Sequence, residues 1–478
     1  MLRPGHTIVL CVLALLAIGV IMVNSADMSV RSVSADVPVV EPLSALTILT
    51  SRSAVYMALA VGAMTAAAFF PVRRLAAWAE TPSPNADSSP SRAAWRTWTG
   101  LGIGALALVL VCALVYMPGI ERARNGSHRW ISIPGTGDAL SLQPSEIAKW
   151  SMVVLISWYC VRASFRTTGS ATTPTTDLSR FLTGLCPALA AVGMVSAFIV
   201  LEDLGTGALI ALVAALLLLA GGARLKHFVA LSPFPLAAVV AAIMTSDYRM
   251  ARIMAFRNPY QDPEGIGYHT IQSLVAVAGG EGWGRGLGFG IQKLGYLPED
   301  RTDFLFAVIC EELGIAGAAV VIALFIAMVW AGYAVMKREH SVFLRLVTLG
   351  IISTVSIQAV INLAVVTAVA PTKGIALPLL SYGGTGWVLT GFSLGQLGPW
   401  ATKLRTDPWL RSDTNLLDYY RDRMHLRPPA SPTAARAGRG SSDGDTYWRG
   451  TALVGALLRA CLDHGGCGLG RDAAIDLD

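Results

Sequence analysis

Long apolar runs alternate with shorter polar segments along most of this chain. A membrane-spanning helix needs about 20 mostly apolar residues, with a range of roughly 17–25. Ten runs fit: 7–23, 51–70, 99–117, 147–163, 182–200, 206–222, 228–245, 304–335, 343–366 and 382–400. The eighth is long enough to extend beyond the bilayer. The fifth and sixth are separated only by Leu201-Glu202-Asp203-Leu204-Gly205, a tight reversal. Residues 7–23 have the length of a signal-peptide core, but no small-residue cleavage site follows convincingly, so they read as the first span. The expected fold is an all-α polytopic membrane protein with about ten transmembrane helices over residues 1–400. Residues 401–478 form a cytoplasmic tail, rich in Pro, Ala, Gly and Ser from Arg427 and largely disordered by composition.

Composition supports lipid as the solvent. Hydrophobic residues make up 54% of the 478 positions and charged residues only 14%, against about 25% charged in a soluble domain. Mean hydropathy is +0.55. The net charge of +6 fits basic cytoplasmic loops better than nucleic-acid binding. Five of the seven cysteines, Cys11, Cys112, Cys160, Cys186 and Cys310, lie in or beside apolar runs and read as small buried hydrophobes. In the tail, Cys461, His464 and Cys467 lack the second cluster a structural metal site needs.

Basic residues orient the chain. Arg73, Arg74, Arg92 and Arg96, then Arg162, Arg166 and Arg180, then Arg224 and Lys226, then Lys337 and Arg338 fall in alternate loops, and Lys403, Arg405 and Arg411 continue the series. These belong on the cytoplasmic side, which places both termini inside. Segments 80–92 and 167–177 read as flexible cytoplasmic loops. Residues 24–50, 118–146, 246–303 and 367–381 then face outward, the third being a large loop between helices 7 and 8.

That loop carries Arg249, Arg252, Arg257, Arg285, Lys293 and Arg301 among seven acidic residues, seven aromatics and ten glycines. Such a mixture predicts a segment folded back on the membrane surface. Within it, Tyr248–Phe256 places Arg249 and Arg252 on one helical face, available to phosphate. The alternating glycines of Gly282–Gly290 lack the strand and helix of a dinucleotide fingerprint, so they point to close backbone approach, to a ligand or to another helix.

Asp303 stands where the loop re-enters the membrane. A carboxylate desolvated there suits a general base; equally, Thr302 or Asp303 could cap the next helix. Glu311 and Glu312 follow two turns later, and intramembrane carboxylates are functional candidates by default. Asp203 reads as a cap on the sixth helix. Trp130 and Tyr268 could be interface anchors, Lys149 could extend outward to the headgroups, and Lys293 could face water.

The ordered motifs carry a resemblance. They are Asn125-Gly126 with Arg129-Trp130; Gln143-Pro144-Ser145-Glu146 with Lys149; Asp203-Leu204-Gly205-Thr206; Asn258-Pro259; Gly265-Ile266-Gly267-Tyr268; Gln292-Lys293; Tyr296-Leu297-Pro298-Glu299 with Thr302-Asp303-Phe304; Glu311-Glu312-Leu313-Gly314; and Pro371-Thr372-Lys373-Gly374 with Ser381-Tyr382-Gly383-Gly384. Over about residues 100–400 the chain resembles the SEDS family of shape, elongation, division and sporulation proteins, the FtsW, RodA and SpoVE group. Pro371-Thr372-Lys373-Gly374 and Tyr248-Arg249 resemble the FtsW division branch more than the elongation branch.

The resemblance implies a peptidoglycan glycosyltransferase of the bacterial cytoplasmic membrane that polymerises lipid II on its outer face. Its partners would be a cognate class B penicillin-binding transpeptidase and other divisome or elongasome proteins. Asp303 is then the essential aspartate and candidate base. Arg129, Trp130, Lys149, Arg249, Arg252, Lys293, Glu299, Lys373 and Ser381 are the substrate-binding candidates, with the cations serving pyrophosphate. The resemblance makes no cofactor certain; a divalent cation (Mg or Mn) shared by Asp303 and pyrophosphate is compatible, although no ligand cluster demands one. Arg301 stands where the family usually has His, and from that position could pair with Asp303 and lower its pKa. A lipid II flippase and a non-catalytic scaffold for the transpeptidase are the rival functions.

Overall fold

The structure, a computed structural model, describes residues 3–31, 44–81, 90–117, 121–124, 127–132, 141–164, 178 and 180–398. The tail, and most of the two expected cytoplasmic loops at 80–92 and 167–177, lie outside the described residues. In chain order the helices are α1 (Pro4–Arg31), α2 (Ala45–Leu49), α3 (Arg52–Phe69), α4 (Val72–Glu80) and α5 (Pro90–Ala113). After a small sheet come α6 (Pro144–Ser164), α7 (Cys186–Glu202), α8 (Leu204–Ala220), α9 (Leu225–Leu231), α10 (Pro233–Met244), α11 (Asp247–Arg257) and α12 (Tyr268–Gly279). The chain closes with α13 (Leu305–Arg338), α14 (Val342–Val366) and α15 (Thr385–Gly395).

Among the described residues, seven helical segments are long and apolar enough to cross a membrane, and Leu204–Ala220 is apolar but shorter. The other two expected spans fall on α6 and α15. The chain is thus a polytopic helical membrane protein. One correction concerns the all-α expectation. Part of the 118–146 segment forms an antiparallel sheet of β1 (Glu121–Arg124), β2 (Ser127–Ser132) and β3 (Ser141–Leu142), in the order β1-β2-β3. Its short strands, rich in Arg and Ser, carry no period-2 apolar signal that a sequence reading would catch. The seventh run is one of these spans, Leu225–Met244, built of two helices, α9 and α10, that meet at Ser232-Pro233. Pro at a first helical turn has no N–H to satisfy and so starts a new helix there. Neither piece buries a residue in the bundle.

Two apolar clusters make up the interior. One joins α1, α3 and α15 to α12 and α13; the other joins α4 to α8. Helix α14 contributes to both, through Ile351, Val355 and Ala359 on one side and Phe343, Leu346 and Leu349 on the other.

Part of the 246–303 loop packs back onto the helical bundle. Helix α13 breaks at Gly314, whose φ is +65°, and the eight residues Leu305–Glu312 before the break are all buried. Leu305–Cys310 is apolar all round, as suits a segment inside a protein, and the glycine-rich stretch wraps it and the two glutamates that follow. The carbonyls of Glu311 and Glu312 accept the N–H groups of Arg285 and Gly286 at 2.9 and 3.0 Å. A Cβ on Gly284 or Gly314 would run into the backbone of the other strand of this crossing. Of the alternating glycines, Gly284 and Gly290 therefore serve close approach to α13.

Candidate active site

A cavity of about 950 Å³ opens along the seam between the two clusters. Each wall comes from a different part of the chain. Strand β2 supplies Arg129 and Trp130, α6 supplies Glu146 and Lys149, and the α7–α8 reversal supplies Glu202 and Asp203. Helices α10 and α11 bring Val239, Ile243, Arg249 and Arg252; the end of the folded-back loop brings Glu299, Thr302 and Asp303. Segment 371–383, Gln358 of α14 and Trp387 of α15 complete the lining. Eight of the nine substrate-binding candidates thus meet Asp303 in one space: Arg129, Trp130, Lys149, Arg249, Arg252, Glu299, Lys373 and Ser381.

The turn that carries Asp303 is held from both sides. Glu299 adopts a φ of +56°, and its carbonyl accepts the N–H groups of Thr302 and Phe304, both at 3.2 Å. Its carboxylate accepts the Thr302 hydroxyl at 2.8 Å. From α14, the buried Asn362 Nδ2 donates to the carbonyls of Asp303 and Ile375, each at 2.8 Å. One amide thereby fixes the Asp303 turn against the 371–381 segment. Gly374 completes that approach: a Cβ there would lie 3.2 Å from Asp303 Oδ2 and 3.8 Å from Arg129 Nη1.

The N-cap of α13 is Phe304, with no side-chain cap bond, so the capping role weighed for Asp303 is not used. Among the described residues no hydrogen bond to its carboxylate is found, although its backbone is fixed. Burial pushes its pKa up to about 7, helped by the negative charges of Glu299 and Asp203, while Arg252 and Arg129 pull it down. Burial also lowers the pKa of Lys373, against the pull of Asp203.

The cations are aimed by backbone carbonyls. Arg129 Nη2 donates to Glu202 O at 2.6 Å and Nη1 stands 3.8 Å from Asp203 Oδ2. Arg249 donates to Ala242 O and Val200 O at 3.2 and 3.3 Å, and Arg252 to Thr372 O at 3.2 Å. Lys149 does not extend outward. It is 3% exposed and donates to Glu146 Oε1 at 2.7 Å and Gln358 Oε1 at 3.1 Å. Ser381 is buried; its hydroxyl accepts the Leu377 N–H at 2.9 Å, so its first task is holding the 377–381 turn. Asp203 caps α8 as expected, accepting from the Thr206 N–H and hydroxyl at 3.1 and 2.8 Å, while also lining the cavity.

Two expectations are overturned by geometry. Lys293 neither faces water nor reaches the cavity; it is 2% exposed and ion-paired with Glu312 Oε1 at 2.7 Å. Arg301 pairs with Asp27 at 2.6 Å, because its side chain leaves the turn toward α1 instead of toward Asp303. Conversely, Gln358 and Asn362 belong to the site without standing in any motif, and Glu146 and Gly374 join it from the motifs without being binding candidates. Gln358 and Asn362 are one helical turn apart on an apolar helix, and that i, i+4 polar pair was the available signal. Among the described residues no group of three or more His, Cys, Asp or Glu side chains is arranged to hold a metal ion.

The family model described as cell cycle protein, FtsW/RodA/SpoVE, matches residues 90–404. Stage V sporulation protein E of Bacillus subtilis is 37% identical over 306 residues, covering 63% of this chain and 78% of that protein. A probable peptidoglycan glycosyltransferase FtsW of Alkalilimnicola ehrlichii is 33% identical over 398 residues, covering 83% and 88%. In fold, the chain superposes on a chain of a peptidoglycan synthase complex with a TM-score of 0.56 at 22% identity, covering 84% of this chain and 98% of that one. Thermus thermophilus RodA gives a TM-score of 0.52 at 20% identity, covering 84% and 97%. By its ordered motifs, its helical bundle and these matches, the chain belongs to the FtsW, RodA and SpoVE family of cell cycle proteins.

Proposed function

We propose that the chain is a peptidoglycan glycosyltransferase that polymerises lipid II, with Asp303 as general base. The observation that carries this reading is a half-buried carboxylate, raised to about 7, facing a cavity ringed by Arg129, Arg249, Arg252, Lys149 and Lys373. A base with a pKa near the working pH is both present as carboxylate and strong enough to take a proton. A hydroxyl of one sugar attacks the anomeric carbon of another and gives its proton to Asp303. The bond to the lipid pyrophosphate breaks, and the arginines and lysines stabilise the charge that collects on the leaving group.

The apolar side of the cavity, at Leu209, Val239 and Ile243, suits a polyprenyl chain. In this reading ten helices span the bacterial cytoplasmic membrane, both termini are cytoplasmic and the cavity faces outward. A class B penicillin-binding transpeptidase crosslinks the product. A divalent cation (Mg or Mn) would find Asp303 as its ligand and arrive with pyrophosphate; no step here depends on it.

The test is reconstitution of the purified full chain in liposomes with lipid II. Glycan polymer is expected from the wild type and not from Asp303→Ala. Lipid transfer across the bilayer without polymer would overturn the reading in favour of a transporter.

A further inference from the structure

Helix α14 is apolar over most of its length, yet Gln358 and Asn362 stand one helical turn apart on it and grip the same segment. Asn362 Nδ2 donates to the Ile375 carbonyl at 2.8 Å, and Gln358 Nε2 to the next carbonyl, Ala376 O, at 2.9 Å. Each amide also reaches a second part of the cavity wall. Asn362 donates to the Asp303 carbonyl at 2.8 Å, while Gln358 Oε1 accepts from Lys149 Nζ of α6 at 3.1 Å. Two consecutive carbonyls are thereby joined through α14 to the turn of the base and to a cation.

The Gln358 amide can stand only one way round. Reversed, its NH2 would face the ammonium and its oxygen would face Ala376 O. A carboxylate in its place would lack the donor, and a lysine or arginine the acceptor. Lys149 has three N–H groups to place. One goes to Glu146 Oε1 at 2.7 Å, three residues earlier on the same helix, and one to Gln358. The Trp150 ring lies 5.3 Å to one side. Among the described residues the third N–H has no oxygen acceptor, and Lys149 lines the cavity. Glu146 by itself would leave the ammonium free to turn about a single contact. The bond from α14 fixes it from a second direction. Because Gln358 is neutral, it does so without adding a negative charge that would compete with a bound phosphate.

We infer that Gln358 is a positioning residue: held by Ala376, it aims the Lys149 ammonium at the pyrophosphate of the lipid-linked substrate. This rests on the reading of the cavity as a transferase site. Negative charge grows on the pyrophosphate as the glycosyl bond breaks, so a well-aimed ammonium contributes most in the transition state.

The test is a double-variant cycle on Gln358→Met and Lys149→Met, read in two ways on the full chain. In liposomes with lipid II, Gln358→Met should lower kcat about tenfold and leave KM within about twofold, the split of an interaction made in the transition state. Lys149→Met should cost on the order of 10²-fold, and adding Gln358→Met to it should cost nothing further, because the two act as one unit. The second reading needs no turnover. Undecaprenyl pyrophosphate is titrated into the detergent-solubilised chain and its binding followed by native mass spectrometry. Gln358→Met should weaken binding about tenfold, and again only when Lys149 is present. A full further loss on adding Gln358→Met to Lys149→Met overturns the proposal, since Gln358 would then act through the 371–381 segment alone. So does a Gln358→Met chain with wild-type kcat and wild-type affinity. Should Gln358→Met fail to fold in detergent, Gln358→Asn gives the same comparison, its amide being one methylene too short to span both partners. A wild type that makes no polymer would sink the transferase reading, while the binding cycle would still decide the role of Gln358.

Discussion

Two clusters of charge lie near one another in this bundle, and they differ in what their charges are bonded to. Glu311 and Glu312 are buried and fully engaged. Glu311 accepts N–H groups from Ile291 and Gln292 at 2.9 and 3.1 Å, and Glu312 accepts from Gly288 at 3.0 Å, from Ser25 and from Lys293. Asp303, some two helical turns away in sequence, has its backbone fixed by Asn362 and its carboxylate turned to an open cavity. Charge bonded to backbone amides has its acceptor capacity taken up and can only hold a fold together. Charge aimed into a cavity beside arginines keeps capacity for a reacting group. Both clusters are costly to bury, so cost alone does not separate scaffold from chemistry.

Several substitutions would break or sharpen that contrast. The largest effect is expected at Asp303→Asn, which should cut polymerisation of lipid II by roughly 10²–10⁴-fold, the usual share of a general base, while the thermal midpoint stays near wild type. A loss of folded protein instead would put Asp303 in the scaffold class. Lys293→Met should do the reverse. Leaving Glu312 buried without its cation costs about 3–5 kcal/mol, read as a lower thermal midpoint in detergent. Neutralising both members as Lys293→Met with Glu312→Gln should recover most of that stability. Recovery that fails would mean the ion pair is not what the loop depends on.

Gly374→Ala tests the close approach at the cavity. Its Cβ would sit 3.2 Å from Asp303 Oδ2, and a displacement of the base by a few tenths of an ångström should cost on the order of tenfold in kcat, with little change in stability. The pH dependence is subtler. The base works as carboxylate, so with a pKa of about 7 the rate should fall as pH drops below 7 and level off above it. Glu299→Gln removes a charge that raises that pKa, so the acid limb should move to lower pH; a move upward would contradict the electrostatics. The smallest effect is expected from Ser381→Ala. It loses one hydrogen bond to the Leu377 N–H, about 1 kcal/mol of stability, and should leave substrate affinity nearly unchanged.

The sequence alone determined the membrane class and the placement of nearly every apolar run on a helix, and its family resemblance made Asp303 the candidate base. Apolar length and basic loops are properties of consecutive residues, and they survive without knowledge of the packing. The sequence also marked several residues of the cavity, because Arg129, Arg249, Arg252 and Lys373 stand out as cations in segments expected to face outward and Lys149 as a cation at the start of an apolar span. What the sequence left level was the rank of Lys293 against Lys373, or of Glu311 against Asp303. Each pair has the same chemistry, and only tertiary contacts distinguish them. Lys293 lies over Glu312 because the glycine-rich loop wraps the broken helix α13. Arg301 faces Asp27 because α1 ends beside the turn. Asn362, unremarkable in a list of helix residues, ties together two segments that meet only in the folded bundle. Periodicity and spacing describe one chain segment at a time, whereas burial, pairing and proton affinity depend on which segments meet.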